Sequence, residues 1–575
     1  MKKLLRYLAD YKKECLLGPL FKVLEVIFEL LVPLAVASMI DRGIGGGDRG
    51  HIIRMALLLA LLAAVGLTST LIAQFFAAKA AVGFAAKLRH ALMAHIQRMT
   101  YSDLDRAGTS ELITRMTSDV SQVQNGVNLA IRLLTRSPII VFGAMIMAFT
   151  VDGKSALVFA CVIPALAAVV LTVMLVTIPM YRKVQGQLDT VTDATRDTLD
   201  GVRAIRAFRL ESREIARFRE KNSLLTAMQE KVGSIAALMN PATYVLLNGA
   251  VIVLLHVGAL RVNAGGLTQG AVIALYNYMS QILVELIKLA NLIITLNKTA
   301  ACGDRIAAVL ETGGEPEPAG QKTALPSGQT GSIVFEGVSF TYPDAAAPAL
   351  TDISFAAERG EVIGIIGGTG SGKSTLVSLI PRFYEPTEGR ILIGGIPAAE
   401  YDKQALRARI GVVPQKALLF HGTIRENLLW GNPAADDSVL QAALETAQAA
   451  DIVAAKEKGL DEPVAEGGRN FSGGQRQRLT IARALVRRPD ILILDDSASA
   501  LDYATDLRLR QALRALPDRP TVFIVSQRTA SIQHADRILV LEDGHTAGIG
   551  THETLLQTCP VYREIYASQF PKEVS

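Results

Sequence analysis

The sequence predicts an α-helical transmembrane domain of six spans with long cytoplasmic helix extensions, followed by an α/β domain built round a P-loop. Three observations carry this. Half of the 575 residues are hydrophobic, and the first half of the chain gathers them into six runs near the length that crosses a bilayer. Two connections between those runs are long, polar and rich in Lys and Arg. Beyond residue 331 the pattern changes to short β-rich runs, then strands alternating with helices. One strand–turn–helix there carries Gly367-Gly368-Thr369-Gly370-Ser371-Gly372-Lys373-Ser374-Thr375.

In chain order, residues 1–14 read as an amphipathic cytoplasmic lead-in. The stretch is basic but holds Asp10 and Glu14, and no cleavage-site pattern follows a short apolar region, so no signal peptide is expected. Spans are expected at about 16–40, 53–78, 128–151, 155–179, 241–261 and 270–296. Pro33, Pro164 and Pro179 fall inside them, as kinks that a packed bundle tolerates. The connections after spans one, three and five are short. Together they hold four basic residues, Arg42, Arg49, Lys154 and Arg261, whereas the connection Tyr181–Asn240 alone holds eleven, from Arg182 to Lys231. Lys and Arg accumulate in cytoplasmic loops, so the long connections and both termini are expected inside, in a multi-pass protein of the cytoplasmic membrane. A net charge of +5 is modest for this length, and lysines and arginines facing a membrane account for it without nucleic acid. Cys15, Cys161, Cys302 and Cys559 are far apart and lack a C-x-x-C spacing; they read as buried small apolar residues rather than disulfide or metal partners.

The helical pattern of the long connections breaks around residues 101–108 and 207–213. Both breaks lie far from their flanking spans, and about 20 extra helical residues reach roughly 30 Å. The breaks therefore suit levers onto a cytoplasmic domain. A Gly- and Pro-rich stretch then marks a boundary, giving a transmembrane domain 1–311, a linker 312–331 and a nucleotide-binding domain 332–575. Inside the spans, Lys22, Glu25 and Glu29 share one helix face, and Asn248, His256, Glu285, Lys288 and Asn291 add polar groups. Ionisable residues at membrane depth mark function by default, so these are candidates for a cavity lining. Glu285 and Lys288 are equally spaced for a pair within their own helix.

Three motifs carry chemistry. The glycines of 367–372 let backbone N–H groups close round phosphate oxygens at a helix N-terminus. Lys373 reaches the β- and γ-phosphates and Ser374 is placed to ligand Mg²⁺. The run Ile491-Leu492-Ile493-Leu494 reads as a buried parallel strand ending in Asp495 and Asp496. Asp495 suits Mg²⁺, directly or through water, and Asp496 stands where a general base for the attacking water would sit. The stretch Asn470–Arg478 places Ser472, Gly473, Gly474 and Gln475 at the start of a helix, a second anion-binding arrangement. One chain already has its phosphate cradle, so this second one suggests service to another subunit's nucleotide.

These motifs, in this order, resemble the ATP-binding-cassette transporters. Six spans followed by one cassette resemble a type IV exporter half-transporter, over nearly the whole chain. The resemblance implies ATP and Mg²⁺ as cofactors, ATP hydrolysis, and a bacterial cell-membrane location. It implies two cassettes closing head-to-tail, each ATP lying between one P-loop and the other chain's Ser472–Gln475 counterpart, with coupling helices near 102–107 and 208–214. It further implies that Tyr342 stacks on adenine, an aromatic face under a base. Gly367, Gly370, Gly372, Lys373, Ser374 and Thr375 would hold phosphate, and Ser374, Gln415 and Asp495 would serve Mg²⁺. Glu466 and Gly468 match the loop that meets the coupling helices, with Ala465 where a glycine is usual. Ser499 to Asp502 match the loop that crosses the dimer interface.

Two positions depart from the family. Asp496 stands where Glu is usual, which withdraws the carboxylate by about 1 Å, a misplacement that can cost about 10²-fold in rate. Gln527 stands where His is usual, and Gln donates a hydrogen bond but cannot become a cation. The pattern resembles the degenerate-site subunit of a heterodimeric multidrug-type exporter: ATP held tightly here and hydrolysed slowly, with Ser472–Gln475 completing a competent site on a different partner chain. The implied function is ATP-driven export of a hydrophobic or amphipathic substrate, whether drug-like, lipid or peptide. A homodimeric exporter with slow turnover and an ATP-gated regulator or channel of the same type stay open. An importer ATPase is disfavoured because spans and cassette share one chain. With no peptidase-like domain ahead of span one, an exporter of processed peptides is disfavoured too.

Overall fold

The computed structural model describes residues 1–314, 331–343, 345–497 and 499–570. Most of the expected linker 312–331 lies outside the described residues. Contacts divide the chain into two units, Met1–Gln97 with Gly108–Thr312, and Arg98–Ala107 with Gly313–Ser575.

In the first unit six helices are long and apolar enough to cross a membrane: Lys3–Ile44, Arg49–Ile96, Thr109–Val151, Gly153–Asp200, Glu211–Asn263 and Gln269–Glu311. Several far exceed a bilayer. The helix Arg49–Ile96 has 48 residues, about 70 Å at 1.5 Å per residue, against a hydrocarbon core of about 30 Å. Asp48 caps it by accepting from the His51 N–H at 3.0 Å. Its buried face is built from Ala73, Ala77, Ala80, Ala81, Phe84, Ala85, Leu88 and Leu92, spaced at three and four, so small side chains admit close neighbours. A separate core joins Val26, Ile140, Ala144, Phe159, Leu254 and Tyr278, and the Tyr278 hydroxyl donates to the Leu30 carbonyl at 2.7 Å.

The second helical break falls at residues 208–210, inside the expected 207–213, but the short helix beside it lies ahead of the expected 208–214. A short helix is Val202–Ala207, and Glu211–Ala237 already forms the next long helix. Gly201 ends the preceding helix, and Arg209 takes a left-handed conformation (φ 54°) that ends the short one. All four cysteines are free thiols. Cys302 and Cys559 are buried as expected, but Cys161 is exposed, on an outward face of the fourth apolar helix.

In the second unit a six-stranded sheet runs in the order His545–Gly550, Arg537–Glu542, Val362–Gly367, Thr521–Val525, Ile491–Asp495, Ile410–Val413. All pairs are parallel except the first, which is antiparallel. A second sheet, Leu350–Ala357, Ile333–Phe340, Glu388–Ile393 and Ile396–Pro397, is antiparallel. The inner strands of the parallel sheet are nearly continuous Val, Ile and Leu because both faces are covered. One face packs with the antiparallel sheet through Phe335, Ile353, Ile365, Ile493 and Phe523, the other with helices through Leu444, Leu479, Leu485 and Leu494. Register does the positioning. Val525 pairs with both Ile365 and Asp495, so two strands end level, the third runs two residues further to Gly367, and all three deliver the loops that follow them to one edge.

Candidate functional site

At that edge a cleft of about 340 Å³ is walled by Thr369, Gly370, Gly372 to Thr375, Tyr342, Gln415, Asp495, Asp496, Ser526 and Gln527. The loop shape needs its glycines at two places in particular. Gly372 has φ 91°, and a Cβ there would lie 2.7 Å from the Ala349 carbonyl oxygen; a Cβ on Gly367 would lie 2.2 Å from the Leu541 carbonyl oxygen. Gly370, at φ 86°, faces open space. The helix Lys373–Leu379 starts directly after the turn, so its first N–H groups point into the cleft.

Lys373 is buried. Its ammonium donates to the Gly367 and Gly368 carbonyls and to Ser371 Oγ. Burial holds its pKa below the ordinary lysine value, while the Asp496 and Asp495 carboxylates oppose that shift. Burial pushes the Asp495 carboxyl up, against the bond it accepts from Ser374 Oγ at 2.9 Å. Asp496 is also pushed up by burial, and it accepts weakly from Gln415 Nε2 at 3.4 Å. A hydroxyl, a carboxylate and an amide thus converge within one cleft, an oxygen-rich donor set suited to a hard divalent cation. Asp496 takes a left-handed backbone (φ 45°), and its N–H donates to the Val525 carbonyl at 3.0 Å. Gln527 lines the same cleft and is exposed, and its carbonyl accepts from Gln569 Nε2 at 2.8 Å.

Tyr342 lies at the cleft with its hydroxyl 3.0 Å from Thr375 Oγ1. Its ring meets Phe340 and Tyr384 edge-on, at centroid distances of 4.8 and 5.2 Å. Sequence reasoning singled out Tyr342 but missed Tyr384. Its hydroxyl donates to Asp105, and Tyr101 stacks on the neighbouring Phe383 at 4.4 Å. Burial, then the Asp105 carboxylate, keep the Tyr384 hydroxyl protonated far above the usual tyrosine range. The helix Tyr101–Ala107 is therefore joined to the phosphate loop through two tyrosines. The aromatic pair Phe383-Tyr384 just after the phosphate-loop helix was the available signal.

Ser472, Gly473, Gly474 and Gln475 do not line this cleft. They open the helix Gly473–Val486 with a reciprocal capping box: Ser472 Oγ accepts from the Gln475 N–H at 3.2 Å, and Gln475 Oε1 accepts from the Ser472 N–H at 2.9 Å. Ser472 and Gly473 are exposed, so the first-turn N–H groups of Gly473 and Gly474 are open to an outside anion. Asp502 caps the helix Tyr503–Arg514 through Thr505, and those bonds hold its carboxyl below the usual range. Glu466 is exposed in the short turn Glu466–Gly468, while Gly468 is buried under Arg476.

The polar groups of the spans also find places. Lys22 pairs with Glu25, Lys288 with Glu285 at 2.8 Å, and Arg136 with Glu29 at 2.8 Å and Glu285 at 3.5 Å. Arg136 was not foreseen; an arginine inside the third apolar run was its signal. Asn248 bonds its own helix at the Tyr244 carbonyl, and His256 and Asn291 are exposed.

The chain matches the model of the ABC transporter transmembrane region over residues 15–286 and that of the ABC transporter over 350–499. It is 35% identical over 575 residues to the uncharacterized ABC transporter ATP-binding protein YfiB of Bacillus subtilis, covering 100% of both chains. It is 34% identical over 491 residues, covering 84% of this chain and 82% of the relative, to YheI of the same organism, a probable multidrug resistance ABC transporter ATP-binding/permease protein. The structure of a bacterial Atm1-family ABC exporter with ATP bound superposes with a TM-score of 0.81 at 25% identity, over 98% of this chain and 99% of that one. With six membrane-crossing helices ahead of a P-loop cleft, the chain belongs to the ABC transporter family and is an ABC exporter, a class of multi-pass membrane proteins that work as dimers.

Proposed function

We propose that this chain is one half of a heterodimeric ABC exporter that drives a hydrophobic or amphipathic substrate out of the cell, and that its own P-loop belongs to the degenerate ATP site. The observation that carries this is the pair Asp496 and Gln527, which follow adjacent strands and line one cleft whose phosphate-binding parts are intact. Asp496 has a fixed backbone, so its short side chain does not move forward to replace the missing methylene. Gln527 brings no cation to the γ-phosphate position.

The roles then divide. Gly367, Gly370, Gly372, Lys373, Ser374 and Thr375 hold the triphosphate, and Tyr342 offers its ring to the base. Ser374, Asp495 and Gln415 would hold Mg²⁺, which neutralises phosphate charge when bound. The exposed Ser472–Gln475 turn completes the partner's site, where most hydrolysis takes place. Asp502 and the loop before it face the partner cassette. The positive-inside pattern puts both termini and the cassette in the cytoplasm. The helix Tyr101–Ala107, tied to Tyr384 and Phe383, passes cassette motion to the spans. Substrate chemistry of the drug-like kind is supported by the similarity to YheI.

The test is purification of this chain with whatever second half-transporter accompanies it, followed by reconstitution. ATP-dependent dye movement into proteoliposomes by the pair, with little turnover by this chain alone, is the expected result. Full turnover and transport by this chain alone sinks the heterodimer; ligand-gated conductance without flux sinks the exporter cycle.

A further inference from the structure

Three carboxylates and three cations form one connected network across three apolar helices: Lys22, Glu25 and Glu29 on the first, Arg136 on the third, Glu285 and Lys288 on the sixth. Ser137 Oγ adds a bond to Glu285 at 2.9 Å. Most of the network is enclosed. Lys22 and Glu285 expose 4% and 3% of their side chains, and Glu25 and Arg136 are nearly as buried. These four are enclosed, each beside an opposite charge, and their burial closes them to a ligand.

Two members differ. Glu29 is 36% exposed and Lys288 is 41% exposed. Each keeps unused hydrogen-bonding capacity. Glu29 engages Arg136 through Oε2, which leaves its other oxygen. Lys288 donates to Glu285 Oε1, which leaves two of the three ammonium donors. Along the contact path only Arg136 and Glu285 separate them. Asn291, one turn beyond Lys288 on the same face, is exposed as well.

The network is neutral, three charges against three, so the outward pair offers a dipole rather than a net charge. A charge at this depth is expensive towards hydrocarbon and is kept where it meets a polar partner or a water-filled space. An uncharged head group would desolvate both groups and match neither. A monoanion would meet Glu29, and a monocation would meet Lys288, each with like charge. A head carrying both signs satisfies the two together. We propose that Glu29 and Lys288 form a head-group site for an amphiphile with a zwitterionic head, its cationic nitrogen on Glu29 and its anionic oxygen on Lys288. The assignment rests on the exporter reading and narrows its substrate class.

The test uses four amphiphiles with one sixteen-carbon tail: hexadecylphosphocholine, hexadecyltrimethylammonium, hexadecyl sulfate and hexadecyl maltoside. Binding to the chain with its partner in nanodiscs is measured by scintillation proximity with labelled hexadecylphosphocholine, the other three as competitors. The expected result is a preference of about tenfold or more for the phosphocholine head over the maltoside. Glu29→Gln and Lys288→Gln should each remove most of that preference and leave maltoside affinity unchanged, while Glu29→Asp should retain much of it. Equal affinity for all four heads overturns the site, as does an unchanged preference in both Gln variants. Dissociation of the dimer by either Gln variant also overturns it, because the pair would then belong to the subunit interface. Binding needs no turnover, so the two readings fail separately. Head-group preference without ATP-driven flux sinks the exporter, and flux without head-group preference sinks the site.

Discussion

Asp496→Glu is the substitution that most directly probes the division of labour between two ATP sites. The Asp496 backbone is fixed by a left-handed conformation and by the amide bond to the Val525 carbonyl. An added methylene therefore pushes the carboxylate outward into the cleft rather than being absorbed by a shift of the strand end. Its advance of about 1 Å, applied to a group that must orient water, corresponds to about 10²-fold in rate, or about 2.7 kcal/mol of barrier. Gln527 limits the gain, because the cationic partner of the γ-phosphate is still absent. The assay is phosphate release by this chain with its partner, the partner's own P-loop site having been inactivated. Wild type should stay near background, Asp496→Glu should rise by up to about 10²-fold, and Asp496→Glu with Gln527→His should rise further. Acidification should silence the residual wild-type activity at a higher pH than an exposed aspartate would. Burial lifts the Asp496 carboxyl, and a base works only above its pKa. Full turnover from Asp496→Glu alone, in a homodimer of this chain, refutes the reasoning, as does a double variant no faster than wild type.

Three other outcomes follow from the same geometry. Ser472→Ala removes one half of a capping box and should cost about 1 kcal/mol of cassette stability, read by thermal unfolding. Ser472→Asp should keep the cap and the melting temperature yet abolish partner-site turnover by repelling phosphate, and a lost melting temperature there contradicts the cap. Tyr384→Phe deletes the bond to Asp105, a charge-assisted contact worth about 1.5–3 kcal/mol, but keeps the ring against Tyr342. It should lower substrate stimulation of turnover several-fold while leaving Mg-ATP affinity unchanged, and an equal fall in affinity refutes the link. Arg136→Met leaves Glu29 without a cation and Glu25 and Glu285 with one partner each, and should destabilise the membrane domain by less than the about 3–5 kcal/mol of a fully buried broken pair, measured as thermal unfolding in nanodiscs. An unchanged melting temperature would show that the network holds nothing.

The nucleotide cleft was legible in the sequence because its parts are local. Each motif sits at one strand end or one helix start, and parallel pairing with Val525 level with Ile365 and Asp495 brings those ends together. What escaped was set by contacts between distant segments. Tyr384 looks like an ordinary loop aromatic until Asp105, 279 residues away, accepts its hydroxyl. Arg136 looks like a misfit in an apolar run until three carboxylates from two other helices surround it. The second helical break was placed, but its short helix lies on the earlier side, since Gly201 and the left-handed Arg209 bound it and periodicity alone does not weigh them. Cys161 was read as buried because apolar runs have no marked outer face, and a bilayer-facing position and a core position look alike in composition.

Charges are handled in two opposite ways along this chain, and the contrast bears on what the proposed degenerate site would do. In the spans, all six network charges meet an opposite charge. In the cleft they do not. Burial pushes Lys373 down and Asp495 and Asp496 up, each towards its uncharged form. A triphosphate relieves Lys373 and a divalent cation relieves Asp495, so the cleft holds desolvated charge that binding satisfies. That relief depends on the phosphate loop, Ser374 and Asp495, and on neither departure at 496 and 527. A site that had lost its purpose would drift first at Lys373, which is buried at a cost when nothing neutralises it. The intact phosphate-binding set is what the proposed ATP-clamp role requires.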